Sequence, residues 1–419
     1  MIKRTILEKL SNHLKEPEMT VLIGPRQVGK TYIMRLLQEQ IEKDGGKTVF
    51  LNLDVMEHKK YFESQTSLLN YIRLQVGDKP AFIFIDEIQR KENAGLFLKG
   101  IYDLHYPYKF IVSGSGSLDL KAKIRESMAG RKHLFSIEPI SFEEFTNYKT
   151  NYKYEDRLED FLTIEKTQAQ NLLEEYMMYG GYPKVVLAET TEKKKEEIEE
   201  IYKSYIERDI EDLLGVEKPE ALTNLLKVLA SQIGGLVNIH ELSITIGISS
   251  KTISNYLWYL EETFIIKKIT PYYTNIRSEI TKTPIYYFFD TGMRNFILGL
   301  FGLATLPTNY SGHLFENVIY NILRQHTPLT PTSIHFWRTT DNAEVDFVIN
   351  SGLKIIPVET KYATLKQTES TRSFKSFLTK YNPSNAYIVH LGVRMTDSFE
   401  NTGISFLPFY ECHKIMSKM

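Results

Sequence analysis

The sequence predicts an α/β protein with a parallel-sheet domain in front, a helical middle region holding a winged-helix unit, and a second α/β domain at the end. Three observations predict it. Short apolar runs alternate with helical stretches over the first 150 residues, the pattern of a parallel sheet covered on both faces. A glycine-rich loop, Gly24-Pro-Arg-Gln-Val-Gly-Lys-Thr31, stands between the first apolar run and the first helix. Three short helical patterns followed by strand character have the size of a winged-helix or helix-turn-helix unit.

The elements follow in order. Thr20–Ile23 reads as a buried strand, Thr31–Ile41 as a helix and Thr48–Leu53 as a strand. Leu68–Val76 is helical, Ala81–Ile85 a strand, Leu96–Leu104 helical and Lys109–Ser113 a strand. Pro139-Ile-Ser-Phe-Glu-Glu-Phe145 leads into a capped helix, and the Tyr-, Asn- and Lys-rich stretch Asn147–Arg157 reads as a boundary or insertion. Tyr179-Gly-Gly-Tyr-Pro183 breaks two helices. Lys193–Leu214 carries charges at i,i+4 spacing and reads as a solvated helix face. Ala221–Ile233, Ile239–Ile246 and Ser249–Glu262 are the three short helices. The last hundred residues return to mixed α/β, with a helix at Leu314–His326 and strands that include Val345–Asn350 and Lys354–Thr360. The expected domains are therefore 1–150, 151–218, 219–285 and 286–419.

Composition narrows the function. With 42% hydrophobic and 25% charged residues over 419 positions, a disordered or fibrous chain is excluded. Lys and Arg total 51 against 52 acidic residues, which excludes a polybasic coat and leaves room for a local basic groove. Cys412 is the single cysteine, so neither a disulfide scaffold nor a Cys-ligated zinc or iron–sulfur site fits within one chain. No apolar run reaches the length of a membrane span, and Met1–Lys15 has no apolar signal core. The expectation is a cytoplasmic protein with no membrane partner.

The loop from Gly24 to Thr31 fits G-x-x-x-x-G-K-[ST] at every position. In that pattern the backbone N–H groups of Gly24, Pro25, Arg26, Gln27, Val28 and Gly29 (Pro25 excepted, having none) curl round phosphate oxygens. Lys30 reaches the β- and γ-phosphates, and the Thr31 hydroxyl binds Mg²⁺. ATP and Mg²⁺ are the cofactors this implies. Phe82-Ile-Phe-Ile-Asp-Glu87 is an apolar strand ending in two carboxylates, expected on a neighbouring strand. Asp86 would hold Mg²⁺ through water, and Glu87 would polarise the attacking water. Ser113, at the end of Phe110-Ile-Val-Ser113, stands where a polar residue could sense the γ-phosphate, or simply begins a turn. Arg131, in Ala129-Gly-Arg131, is a candidate arginine finger for a neighbouring subunit, or a surface arginine.

A second constellation lies near the C-terminus. Glu359 and Lys361 are two apart in a predicted strand and share one face. With Asp346 they form two carboxylates beside a lysine, a set that binds Mg²⁺ and aims a water at phosphate. Asp346 and Glu359 are the expected metal ligands, and Glu316 on the preceding helix could complete the cluster. In the middle region, Lys251, Thr252, Ser254 and Asn255 are expected to face outward near the start of the helix Ser249–Glu262, available to DNA. A small domain packed between subunits is the competing reading.

Several pieces together resemble the prokaryotic AAA-type ATPases that carry a C-terminal nuclease-like domain formerly described as of unknown function. They are the loop Gly24–Thr31, Ile85-Asp-Glu-Ile-Gln-Arg90, Ser113-Gly-Ser115, Gly130-Arg131, Pro139-Ile-Ser-Phe-Glu-Glu-Phe145, Gly180-Gly-Tyr-Pro183 and Arg208-Asp209. The order Glu316, Asp346, Glu359, Lys361 is similar to the PD-(D/E)XK nuclease pattern. Tyr362 and Ala363 depart from it, where relatives often show a small polar residue. The resemblance implies an oligomerising ATPase core, possible as a ring, a winged-helix middle and a restriction-endonuclease-like end. It points to coupling of ATP to the binding, remodelling or cleavage of DNA, branched DNA included. The alternative is a signalling or protein-remodelling ATPase whose nuclease-like domain only binds a protein partner.

Overall fold

The computed structural model describes residues 2–115, 128–205, 219–273, 282–328, 332–352 and 354–418. Arg208 and Asp209, and the residues after Ser115 in the Ser113 loop, lie outside them.

Five strands make the first sheet: β1 (Met19–Gly24), β2 (Thr48–Asn52), β3 (Ala81–Asp86), β4 (Tyr108–Ser115) and β5 (Lys132–Ser136). Their lateral order is β2-β3-β4-β1-β5, and every neighbouring pair is parallel. Side chains alternate across it. Leu22, Phe84 and Ile111 enter one core with Ile33, Met34 and Leu37 of the helix Lys30–Lys43. Val21, Ile83, Ile85 and Val112 enter the other, with Leu68 and Ile72 of Gln65–Val76 and Leu98 of Ala94–Asp103. Continuous apolar strands are the consequence of burial on both faces.

One expectation needs correction here. The strand bearing Asp86 is not beside the glycine-loop strand, because β4 lies between β3 and β1. Sequence order gives the direction of a crossover but not how many strands it passes. The edge strand β5 carries no apolar run in the sequence, since Lys132-His-Leu-Phe-Ser136 has only two strongly apolar residues and one solvent-facing side.

The middle region holds the helices Pro219–Ser231, Ile239–Ile246 and Ser250–Glu262, then the antiparallel strands β6 (Ile266–Ile269) and β7 (Ile285–Phe288). Asn238 and Ser249 cap the second and third helices, accepting from Glu241 N and Thr252 N. Leu236 bridges to Ile285 and adds a third short edge to the strand pair. Ile253, Leu257 and Leu260 are buried on one stripe, and Lys251, Ser254, Asn255 and Trp258 are exposed on the other.

The expected boundaries at 150/151 and 285/286 do not coincide with breaks in packing. The helix Phe142–Lys149 packs directly on Lys166–Tyr179, with the Phe145 and Tyr176 rings 5.4 Å apart and Ile140 N donating to Gly181 O at 2.7 Å. The 285/286 boundary cuts β7, and the helix Thr291–Ile297 returns to the same helical layer. Asn295 Nδ2 donates to the carbonyls of Met177 and Met178 at 2.9 and 3.0 Å. The Asp290 carboxylate, capping that helix, accepts from Gly181 N at 2.6 Å and Met293 N at 2.8 Å. Burial pushes its pKa up to about 6 against these hydrogen bonds. A carboxyl raised by folding binds its proton more tightly in the native state, so it removes stability as pH rises from about 4 to about 6. Denaturant unfolding at several pH values should show Asp290→Asn losing that downward slope. An unchanged slope would show that Asp290 titrates normally.

The last unit begins with the helix Thr308–Gln325 and a six-stranded sheet. Its strands are β8 (Ser333–Arg338), β9 (Glu344–Asn350), β10 (Ile355–Lys361), β11 (Asn385–His390), β12 (Met395–Phe399) and β13 (Thr402–Pro408), ordered β12-β13-β11-β10-β9-β8. β8, β9 and β10 form an antiparallel meander, β11 joins β10 in parallel, and the hairpin β12–β13 closes the other edge. One face packs on Thr308–Gln325 through Phe315, Val318 and Ile322, and the other on Arg372–Tyr381 through Phe374 and Phe377. A single apolar core runs from the first sheet through the helical layer to this unit. Among the described residues, no helix is long and apolar enough to cross a membrane.

Candidate functional site

The glycine loop leaves the C-terminal end of β1, the strand at which the sheet order reverses. Crevices at such switch points are where α/β sheets bind ligands. Gly24 is required by close approach, since a Cβ there would stand 2.0 Å from Ile137 O. Gly29 sits at φ +91, where side chains are rarely accommodated, and is the N-cap of Lys30–Lys43. The helix therefore opens on the loop with its positive dipole end, a ready anion site. Arg26, Gln27, Gly29, Lys30 and Thr31 line the cleft, and Val28 is buried beneath it. Lys30 Nζ folds back onto its own loop, donating to Gly24 O at 3.0 Å and Pro25 O at 2.6 Å. A triphosphate would replace those carbonyls with charged oxygens.

Asp86, fully buried at the end of β3, is the hub. Its Oδ2 accepts from Thr31 Oγ1 at 2.7 Å and from Asn52 Nδ2 at 3.3 Å. Its Oδ1 accepts from the Ser113 hydroxyl and from Glu87 N at 3.1 Å. β4, lying between β1 and β3, is what brings Ser113 to Asp86. A hydroxyl and a carboxylate side by side are hard oxygen donors of the kind Mg²⁺ takes along with water and phosphate. Glu87 has φ 57 and projects into the same cleft. Burial raises its pKa, with Lys30 opposing, and the Gln89 amide donates to its Oε2.

The cleft has a volume of about 590 Å³, and Lys184, Glu200, Lys203 and Ser204 form its far wall. Lys184 Nζ lies 3.7 Å from Glu197 and 3.8 Å from Glu200. The sequence reading missed Asn52 and this wall. Lys184 follows Gly180-Gly-Tyr-Pro183 directly, so the motif had marked the place without marking the residue. Arg131 is not part of the cleft. It precedes β5, its carbonyl accepts from Met19 N at 2.9 Å, and it therefore sits at the end of the sheet opposite Gly24. Its Nε donates to Asp103 at 2.8 Å.

In the C-terminal unit the β9–β10 register pairs Phe347 with Val358, which puts Asp346 and Glu359 next along their strands on one face. Asp346 Oδ2 accepts from Thr360 N at 2.6 Å and Thr360 Oγ1 at 2.8 Å. Lys361 Nζ donates to Glu359 Oε1 at 2.8 Å, while Glu359 Oε2 is buried without a partner. Burial, then the negative charges of Glu316 and Glu359, pushes the Asp346 pKa well above the carboxylate range. Burial also raises that of Glu359, with Lys361 working against it. Glu316 stands at the edge of the cluster, accepting from Tyr287 OH at 3.2 Å and 3.1 Å from His313 Nδ1. Among the described residues, no three acidic, imidazole or thiol groups converge as a metal-binding set. Two carboxylates, one of them with an orphaned oxygen, are nonetheless what Mg²⁺ usually takes from a protein when a phosphate supplies the rest.

Comparison with known proteins finds a known domain family over the stretch that holds the first of these sites. Residues 16–146 match the AAA domain family. Residues 170–304 and 311–412 match two families described as domains of unknown function, DUF8612 and DUF4143. The first of these spans both the helical layer and the middle helices, across the expected 218/219 and 285/286 boundaries. An uncharacterized protein of Haemophilus influenzae is 26% identical over 88% of this chain and 89% of its own length. One from Methanocaldococcus jannaschii is also 26% identical, over 86% and 78%. Among solved structures, AMPPCP-bound DnaA from Aquifex aeolicus aligns with 62% of this chain and 90% of that one at 13% identity, with a TM-score of 0.26, too loose to equate the two folds. The phosphate loop, the buried Asp86 and the family match at residues 16–146 together make the N-terminal third of the chain an AAA-type ATPase domain.

Proposed function

We propose that the protein is an oligomeric, Mg²⁺-dependent ATPase that processes DNA, with the C-terminal unit holding or cutting the strand that the ATPase moves. One observation carries the reading: a phosphate-loop site and a carboxylate pair beside Lys361, Glu359 buried and Asp346 half-buried, share one continuous apolar core. Lys30, Thr31 and Asp86 would hold ATP and Mg²⁺, Ser113 would fix Asp86, and Glu87 would orient water. Arg131, remote from its own cleft, would complete the site of an adjacent subunit. In the C-terminal unit, Asp346 and Glu359 would hold Mg²⁺ against a phosphodiester, and Lys361 would steady the attacking water. The three helices and strand pair between 219 and 288 form a winged-helix unit whose Lys251, Ser254 and Asn255 face the DNA.

The test is cleavage of labelled linear and four-way-junction DNA with Mg²⁺ or Mn²⁺, with and without ATP. Cleavage by the wild type should disappear in Asp346→Ala and change its ATP response in Lys30→Ala. A second reading, an ATPase that remodels a protein partner, draws on Ile244 and Trp258, apolar side chains 70% and 52% exposed on the middle unit. ATP hydrolysis unaffected by DNA, with no DNA binding, would favour that reading over the first.

A further inference from the structure

A buried arginine at the start of the chain reaches the phosphate loop from behind. Arg4 precedes the helix Ile6–His13 and is 8% exposed. Its NH1 donates to Val28 O at 3.1 Å, its NH2 to Glu138 O at 2.6 Å and its Nε to Glu144 Oε2 at 3.2 Å. Glu144 is itself fixed. Its Oε1 accepts from Thr5 N at 2.7 Å and Thr5 Oγ1 at 3.0 Å, and Ser141 N donates to its Oε2 at 3.1 Å in a capping box. The guanidinium is thus held by three elements distant in sequence: the loop, the β5–helix connection and the helix Phe142–Lys149.

A trans peptide directs its N–H opposite to its C=O. With the Val28 carbonyl drawn outward to Arg4, the Gly29 N–H in the same peptide plane turns inward, toward the concave side where phosphate oxygens sit. Gly29, at φ +91, can take either peptide orientation more easily than any other residue, so something must choose. We propose that Arg4 makes that choice: it is a positioning residue of the ATP site, holding the 28–29 peptide so that the Gly29 N–H faces the triphosphate. The inference rests on the ATP-binding reading of the loop and adds to it a residue well outside the phosphate motif.

The experiment is titration of the full chain with fluorescent ATP and ADP analogues, together with steady-state ATP hydrolysis. Arg4→Ala should weaken both nucleotides by about tenfold or more, because a hydrogen bond from a charged donor is lost behind a charged ligand. The N–H is used in ground state and transition state alike, so KM should rise more than kcat falls. Arg4→Lys should recover part of the affinity, and methylguanidinium should restore binding to Arg4→Ala in a saturable way. Ser64→Ala, which removes the cap of the helix Gln65–Val76 and touches nothing in the Arg4 network, is the control for general destabilisation. It should lower the unfolding midpoint and leave nucleotide affinity as it was. Wild-type affinity in Arg4→Ala, or equal loss in Ser64→Ala, overturns the proposal. A wild type that binds no nucleotide defeats the ATP-site reading itself, and this inference with it.

Discussion

Glu87→Gln should bind ATP as the wild type does and hydrolyse it about 10²–10⁴ times more slowly, the usual contribution of a positioned base. Gln keeps the shape and the backbone contact, because the Glu87 N–H, not its side chain, donates to Asp86 Oδ1. What disappears is the carboxylate that the cleft presents beside Lys30. Lys30→Ala should differ in kind, losing affinity as well as rate, since Lys30 is the cation at the phosphates. Two signatures separate the pair in one experiment: trapped ATP on Glu87→Gln, and little bound nucleotide on Lys30→Ala. The pH profile adds a third. Burial raises the Glu87 pKa, and the ionised form is the active one. Wild-type kcat/KM, which reports the free enzyme, should therefore fall as pH drops at a higher pH than an ordinary carboxylate would dictate. Rapid turnover by Glu87→Gln would assign water activation elsewhere in the cleft.

What could be read from the sequence was what is local. The phosphate loop and its helix are contiguous, and the carboxylates at 86 and 87 end an apolar run, so type and place were both legible. Ser249 as a cap and the buried stripe Ile253, Leu257 and Leu260 follow from one helix period and were found in the same way. Lateral order is different in kind. Nothing in the chain says that β4 slips between β1 and β3, and yet that insertion is what sets Ser113 against Asp86. Asn52 was missed for the same reason, because it reaches Asp86 only once β2 lies beside β3. Polar edges were harder still: β5 and β12 expose too many of their side chains to show an apolar run. The 285/286 boundary failed because β7 is as apolar as the strands of the last unit, and composition cannot say which partner it pairs with.

The contact that sequence reading had least chance of finding carries the largest expected effect on stability. Arg324, at the end of Thr308–Gln325, forms a two-pronged ion pair with Glu138, which follows β5, and both side chains are only 15% exposed. Gln325 Nε2 donates to the same carboxylate at 3.2 Å, and the guanidinium lies 4.3 Å over the Phe289 ring. Arg324→Met keeps much of the packing volume and strands the Glu138 carboxylate in the interface with one neutral donor. Removing one partner of a fully buried pair costs about 3–5 kcal/mol, and this half-buried pair should lose up to that much, because the remaining charge stays largely desolvated. Replacing both, Arg324→Met with Glu138→Met, should return most of that loss, since two apolar side chains of similar size leave no charge uncompensated. The pair joins the ATPase sheet to the C-terminal unit, so its loss should also separate their unfolding. Calorimetry should show one transition in the wild type and two in Arg324→Met, the C-terminal one at lower temperature. If Arg324→Met unfolds within about 0.5 kcal/mol of the wild type, as an ordinary surface substitution does, water reaches Glu138 and the two units are held by their apolar core alone.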